Sequence, residues 1–92
     1  MKIVQTRAFA KVAKKLHPKQ KRQLDKAVKT IIKDPQVGDV KVGDLVGHRV
    51  YKFKVNAEMY LIGYRVDEEF TLLSLIALGT HENFYRDMKK II

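Results

Sequence analysis

The chain has 92 residues, no cysteine and a formal net charge of +9, from 19 Lys and Arg against 10 Asp and Glu. This length supports one domain with one modest core, and the lack of cysteine excludes disulfides and thiolate-metal sites. The longest apolar run, Leu72 to Leu78, is far too short to span a bilayer and is broken by Ser74. The opening MKIVQTRAF lacks the apolar core of a signal peptide, so a cytoplasmic location is expected.

Ile3 and Val4 begin a short strand, which Thr6 ends by capping a helix. Phe9, Val12, Ala13 and Leu16 then recur at the i, i+3, i+4, i+7 spacing of one buried helical stripe. His17-Pro18 restarts the chain, because proline suits the first helical position and restricts the residue before it. A second helix follows, with Leu24, Ala27, Val28 and Ile31 inward and Asp34-Pro35 as its stop. The outer surface of this hairpin is basic: residues 1–33 hold eleven Lys and Arg against the single acid Asp25. Such one-sided charge fits a polyanionic partner, either nucleic acid, an RNA-rich particle or an acidic protein. A solvated helix face that keeps a small protein soluble is the plainer explanation. Lys11, Lys14, Lys15, Lys19, Lys21 and Arg22 are the candidate RNA-binding residues here.

Residues 36–47 read as a loop with Gly38, Gly43 and Gly47, with room for a brief edge strand. Three strand-like runs follow, His48 to Val55, Met59 to Val66 and Phe70 to Leu78, and their short links imply an antiparallel meander. Alternation sends Arg49, Tyr51, Phe53 and Val55 to one side, with Tyr60, Ile62, Tyr64 and Val66, toward the hairpin. The opposite side carries His48, Lys52, Lys54 and Arg65. The third run is apolar on both faces, as expected of a central strand or one covered by the C-terminal helix.

After Gly79, Thr80 is placed to cap the last helix, which puts His81 at its first position, where exposed N–H groups disfavour an imidazolium. A neutral imidazole there is able to accept a proton. Tyr85 falls one turn later on the same face, while Phe84 and Met88 face the core. A helix-end histidine, basic strand residues and a tyrosine are the parts for cleaving RNA without a metal. The cations bind the phosphate and its developing charge, and another group takes the 2′-hydroxyl proton. No metal-ligand spacing, cysteine nucleophile or phosphate-cradling glycine loop is present, so no cofactor is expected. Each residue also has a structural reading: His81 as a surface residue, Tyr85 as rim packing, Lys52 and Lys54 as solubilising charges. Arg65 has ion-pair partners available in Asp67 and Glu69, and His48 and Arg49 stand at a strand end with RNA contact as their functional alternative.

The order strand, two helices and meander, with VYKFKV, then YLIGYRVDEEFTLLSLIALGTH and a closing helix, resembles the RelE/ParE superfamily of bacterial toxins from type II toxin–antitoxin pairs. The resemblance spans essentially the whole chain and is strongest from Val50 to Tyr85. It implies an α+β domain: an N-terminal strand and helical hairpin packed on a twisted antiparallel sheet, with a short C-terminal helix. The RelE branch consists of ribosome-dependent endoribonucleases that cut messenger RNA and are neutralised by a partner antitoxin. The ParE branch shares the fold and poisons DNA gyrase. By resemblance Lys52 and Lys54 match two catalytic lysines. RelE has an arginine where Leu61 stands, and Arg65 is the candidate substitute. RelE also has an arginine where His81 stands, whereas other ribosome-dependent relatives have a histidine there and an aromatic four residues later, matching His81 and Tyr85. The expected partners are thus an antitoxin, the ribosome and mRNA, with no membrane and no small-molecule cofactor. A gyrase poison, or an inactive member that mainly binds antitoxin, is the alternative.

Overall fold

The computed structural model describes all residues, 1–92. The elements in order are β1 (Lys2–Gln5), α1 (Arg7–Lys15), α2 (Pro18–Lys33), β2 (Asp39–Val40), a short 3₁₀ turn (Gly43–Leu45), β3 (Arg49–Val55), β4 (Glu58–Asp67), β5 (Leu72–Thr80) and α3 (Phe84–Ile91). They form a five-stranded sheet in the order β1-β5-β4-β3-β2. The meander β3-β4-β5 is antiparallel as expected. The sheet as a whole is mixed, because β1 pairs with β5 in parallel. A chain that leaves β1 through a helical hairpin and returns through the meander reaches β5 in the same direction as β1, which the run-by-run reading did not foresee. No helix is long and apolar enough to cross a membrane.

Thr6 links three elements. Its hydroxyl accepts the Phe9 N–H at 3.0 Å, capping α1, and donates to the Ile76 carbonyl at 2.6 Å. Its own N–H donates to the Leu75 carbonyl at 3.0 Å. Ile76 is the extra residue where the β4–β5 register shifts at Gly63/Tyr64, so the threonine satisfies a carbonyl that the bulge removes from the ladder. Pro18 opens α2 and the His17 N–H donates to Gln20 Oε1 at 3.1 Å, satisfying a group that a helix start otherwise leaves unpaired.

Apolar burial divides into two layers. Between hairpin and sheet lie Phe9, Leu24, Ala27, Ile31, Val55, Tyr60, Ile62, Tyr64, Leu73, Leu75 and Leu78. On the other sheet face Leu45, Val50, Leu61, Ala77, Phe84 and Met88 form a smaller cluster under α3. The both-sided hydrophobicity of β5 follows from this, since α1 covers one of its faces and α3 the other.

Boundaries moved around both links of the meander. The link between β3 and β4 is the two-residue turn Asn56-Ala57, with Val55 paired to Glu58 and Asn56 at φ 58°, a conformation asparagine tolerates. The last strand begins at Leu72 rather than Phe70 and runs on through Thr80. Phe70 stands in an exposed turn, where Thr71 adopts φ 51°.

Candidate active site

The basic sheet face expected from alternation is not continuous. Val50, Leu61 and Gly63 of that face are buried beneath α3. Gly63 is where helix and sheet come closest: a Cβ there would lie 2.6 Å from Met88 Sδ and 3.0 Å from Phe84 Cζ. The helix splits the face into two ends.

At one end stand Lys52 and Lys54, both exposed, opposite Leu61 and Met59 of β4. Leu61 is in turn opposite Gly79 of β5, so the chain reaches His81 at this same end of the sheet, two interstrand spacings or about 10 Å from β3. Tyr85 is half-buried in the first turn of α3 and belongs to the smaller cluster. Its ring meets Phe84 edge-on at 5.3 Å and 87°, and Lys41 Nζ lies 5.3 Å from its centroid. That ammonium over the ring face is a cation–π contact.

His81 is not part of the helix. The strand runs through Thr80, residues 81–83 form a turn, and Asn83 is the N-cap of α3. The expected Thr80 cap is therefore corrected, and with it the helix-terminus influence on the imidazole and the one-turn relation of His81 to Tyr85. The reason is strand pairing: Thr80 stays in register with Tyr60, and extended backbone there delays the helix by three residues. His81 is exposed in the turn.

At the far end lies Arg65, opposite Ser74 and four residues, about 13 Å, along β4 from Leu61. The expected substitution of Arg65 for an arginine beside the two lysines is not seen, because α3 lies between them. Continuing the β3–β4 register past Arg49 and Tyr64 brings His48 alongside Arg65, and His48 Nδ1 donates to the Val46 carbonyl at 3.2 Å. Arg49 turns its guanidinium inward, donating to the carbonyls of Gly38 at 2.9 Å and Gln36 at 3.3 Å. These two bonds tie it to the loop after α2.

That loop is held from below by Tyr64, whose buried hydroxyl donates to the Pro35 carbonyl at 2.7 Å and accepts the Gly38 N–H at 2.9 Å. Burial, as the main cause, pushes the Tyr64 phenol above the usual tyrosine range, against the lowering influence of the Gly38 N–H and Arg49. Tyr60 is also raised, by burial first and then by Glu58.

The hairpin residues Lys11, Lys14, Lys15, Lys19, Lys21 and Arg22 are all exposed. They lie on elements packed against the sheet face opposite Lys52 and Lys54. Lys14 and Lys21 edge a groove of about 660 Å³ between α1 and α2, and Lys11 borders a cleft shared with Lys90 of α3. The structure does not merge them with the candidate site. No group of three or more His, Cys, Asp or Glu side chains is arranged so that it could hold a metal ion.

Lys41 is the residue that sequence reasoning missed. The alternation Asp39-Val40-Lys41-Val42 was its only signal, within a segment read as a loop.

A model of the ParE-like toxins of type II bacterial toxin–antitoxin systems matches residues 3–89. No curated protein sequence matches the chain. Among solved structures, a substituted variant of E. coli RelE in the free state is similar with a TM-score of 0.76 at 18% identity, covering 98% of this chain and 90% of that one. The RelBE2 toxin–antitoxin complex of Mycobacterium tuberculosis follows with a TM-score of 0.74 at 20% identity, over 87% of this chain and 96% of that one. The YoeB/ParE toxin of Agrobacterium tumefaciens has a TM-score of 0.71 at 19% identity, over 88% and 99%. These likenesses establish a shared fold, and the family model, spanning nearly the whole chain, makes this protein a ParE-like toxin of the RelE/ParE superfamily, the toxin half of a type II toxin–antitoxin system.

Proposed function

We propose that the toxin acts as a ribosome-dependent endoribonuclease that cuts mRNA and halts translation. The observation that supports this reading is strand register: Lys52 and Lys54 of β3 and the turn that holds His81 lie toward the same end of the sheet on either side of β4, and the helix that follows carries Tyr85 under the Lys41 ammonium. Lysines next to a scissile phosphate stabilise the charge that grows on its oxygens. His81 takes the proton of the 2′-hydroxyl as that oxygen attacks phosphorus, or returns one to the 5′-oxygen as the P–O5′ bond breaks. The Tyr85 ring orients the RNA or stacks on a base, as unpaired RNA bases commonly do on aromatic side chains. His48 and Arg65, at the far end, serve to position the strand. The lysines of α1 and α2 hold the protein to ribosomal RNA from its other face. A cognate antitoxin is the second partner, as in the toxin–antitoxin complexes that share this fold.

A ParE-like gyrase poison is the second reading, favoured by the family model that matches. Induced expression without antitoxin, followed by mapping of mRNA 5′ ends, separates the two. New ends at regular positions within translated frames, lost in His81→Ala, are the expected result. Growth arrest with intact mRNA, unaltered by His81→Ala and accompanied by DNA breaks, would overturn the nuclease reading.

A further inference from the structure

The second edge of the sheet is apolar where a solitary protein usually blunts it. Val40, Val42 and Val46 are 63%, 81% and 71% exposed, with Val37 beside them. An uncovered apolar edge strand is a template for pairing with another chain.

The backbone of β2 shows how such pairing would be registered. The Lys41 N–H donates inward to the His48 carbonyl at 3.1 Å, and by antiparallel alternation Asp39 also turns its backbone groups toward β3. Val40 therefore points its N–H and C=O outward. Its neighbours offer less: the Gly38 N–H is taken by Tyr64 and its carbonyl by Arg49, and the Val42 carbonyl accepts the Leu45 N–H, leaving Val42 only its own N–H. One outward donor and acceptor on one residue is what a twofold axis through Val40 needs, since a residue facing its own copy exchanges both bonds with it.

Charge decides the occupant. With the axis at Val40, Asp39 stands opposite Lys41 of the second copy and Lys41 opposite its Asp39, so both cross-strand pairs are attractive. Val42 then stands opposite Gly38, which carries no side chain to obstruct it. Residues 36–47 contain only Asp39, Lys41 and Asp44 as charged groups, so the edge escapes the +9 of the whole chain. α2 packs on β3, one strand from the axis, so the basic helices of the two copies lie on the same side of the joined sheet, and the Asp39–Lys41 pairs on the other face are the attractive charges at the seam.

We infer that the toxin, free of other partners, self-associates through β2 as a twofold dimer, extending the sheet from five strands to ten. An axis normal to the sheet leaves the Lys52 and Lys54 faces of both copies on one side. Each Lys41, already over its own Tyr85, gains the second copy's Asp39 as a neighbour, so association borders directly on the candidate site. The inference does not depend on which poison mechanism the toxin uses.

Sedimentation equilibrium of the whole purified chain over a concentration series tests it, alongside Asp39→Lys and the double exchange Asp39→Lys with Lys41→Asp. Asp39 is exposed, and thermal unfolding followed by circular dichroism establishes that each variant is folded. The wild type should rise toward twice the monomer mass. Asp39→Lys turns both attractive pairs into like-charge pairs and should raise the dimer dissociation constant about ten-fold or more. The double exchange restores opposite charges and should restore the dimer. A wild type that stays monomeric throughout, or a dimer indifferent to Asp39→Lys, would overturn the assignment.

Discussion

Lys41 shows how a single residue changes value when its surroundings become visible. Its ammonium lies over the Tyr85 ring, a link between two segments 44 residues apart in the chain. Replacing it with methionine keeps the stem but removes the charge, and should reduce mRNA cleavage about ten-fold while Tm stays nearly unchanged, since such contacts at exposed sites contribute only about 0.5–1 kcal/mol. Reporter-mRNA cleavage beside a thermal melt checks this. His81→Ala should abolish cleavage at unchanged stability, because the residue is exposed in a turn and surface substitutions there cost little. Tyr64 is a residue of the opposite kind, buried and structural. Tyr64→Phe leaves the Gly38 N–H and Pro35 carbonyl without their partner and should destabilise by about 1–3 kcal/mol in urea unfolding.

The element that most needed the structure is α3. Its amphipathic pattern was readable from Phe84 and Met88, and both are buried as expected. Its start was not, because Thr80 is a good N-cap by composition and the competing demand, pairing with Tyr60, arises only across strands. The position of α3 over the sheet centre was likewise hidden, and it separates Arg65 from the lysines. Gly63 is the hinge of that packing. Gly63→Ala places a methyl group against Met88 Sδ and Phe84 Cζ, and should cost about 1–3 kcal/mol as an overpacked contact. Faster hydrogen exchange along α3 than in β3 would check that the loss is local to the helix.

For the whole molecule the two sheet faces have different tasks: the hairpin face holds the larger core, and the α3 face holds the candidate site. The basic helices and the basic strand residues are therefore separate surfaces on opposite sides of the sheet. The two buried tyrosines also set a global pH limit. Both phenols are raised above the ordinary value near 10, so the folded state holds these protons more tightly than the unfolded chain. Their contribution is fully present below pH 10 and is lost as pH rises through the higher folded-state values. Urea midpoints should therefore fall as pH rises above 10, and less steeply in Tyr64→Phe, where one of the two titrating groups is gone.

The sequence by itself determined the helical hairpin, the meander, the faces of β3 and β4, and the resemblance that the family match bears out. These are local: each depends on a periodicity of 3.6 or 2, a cap or a short link, which residues close in the chain express without help. The tertiary structure alone decided the parallel pairing of β1, the late start of α3, the separation of Arg65 from Lys52 and Lys54, and the approach of Lys41 to Tyr85. Each of those depends on register between segments distant in the chain, where one bulge at Ile76 or one close contact at Gly63 outweighs local preference.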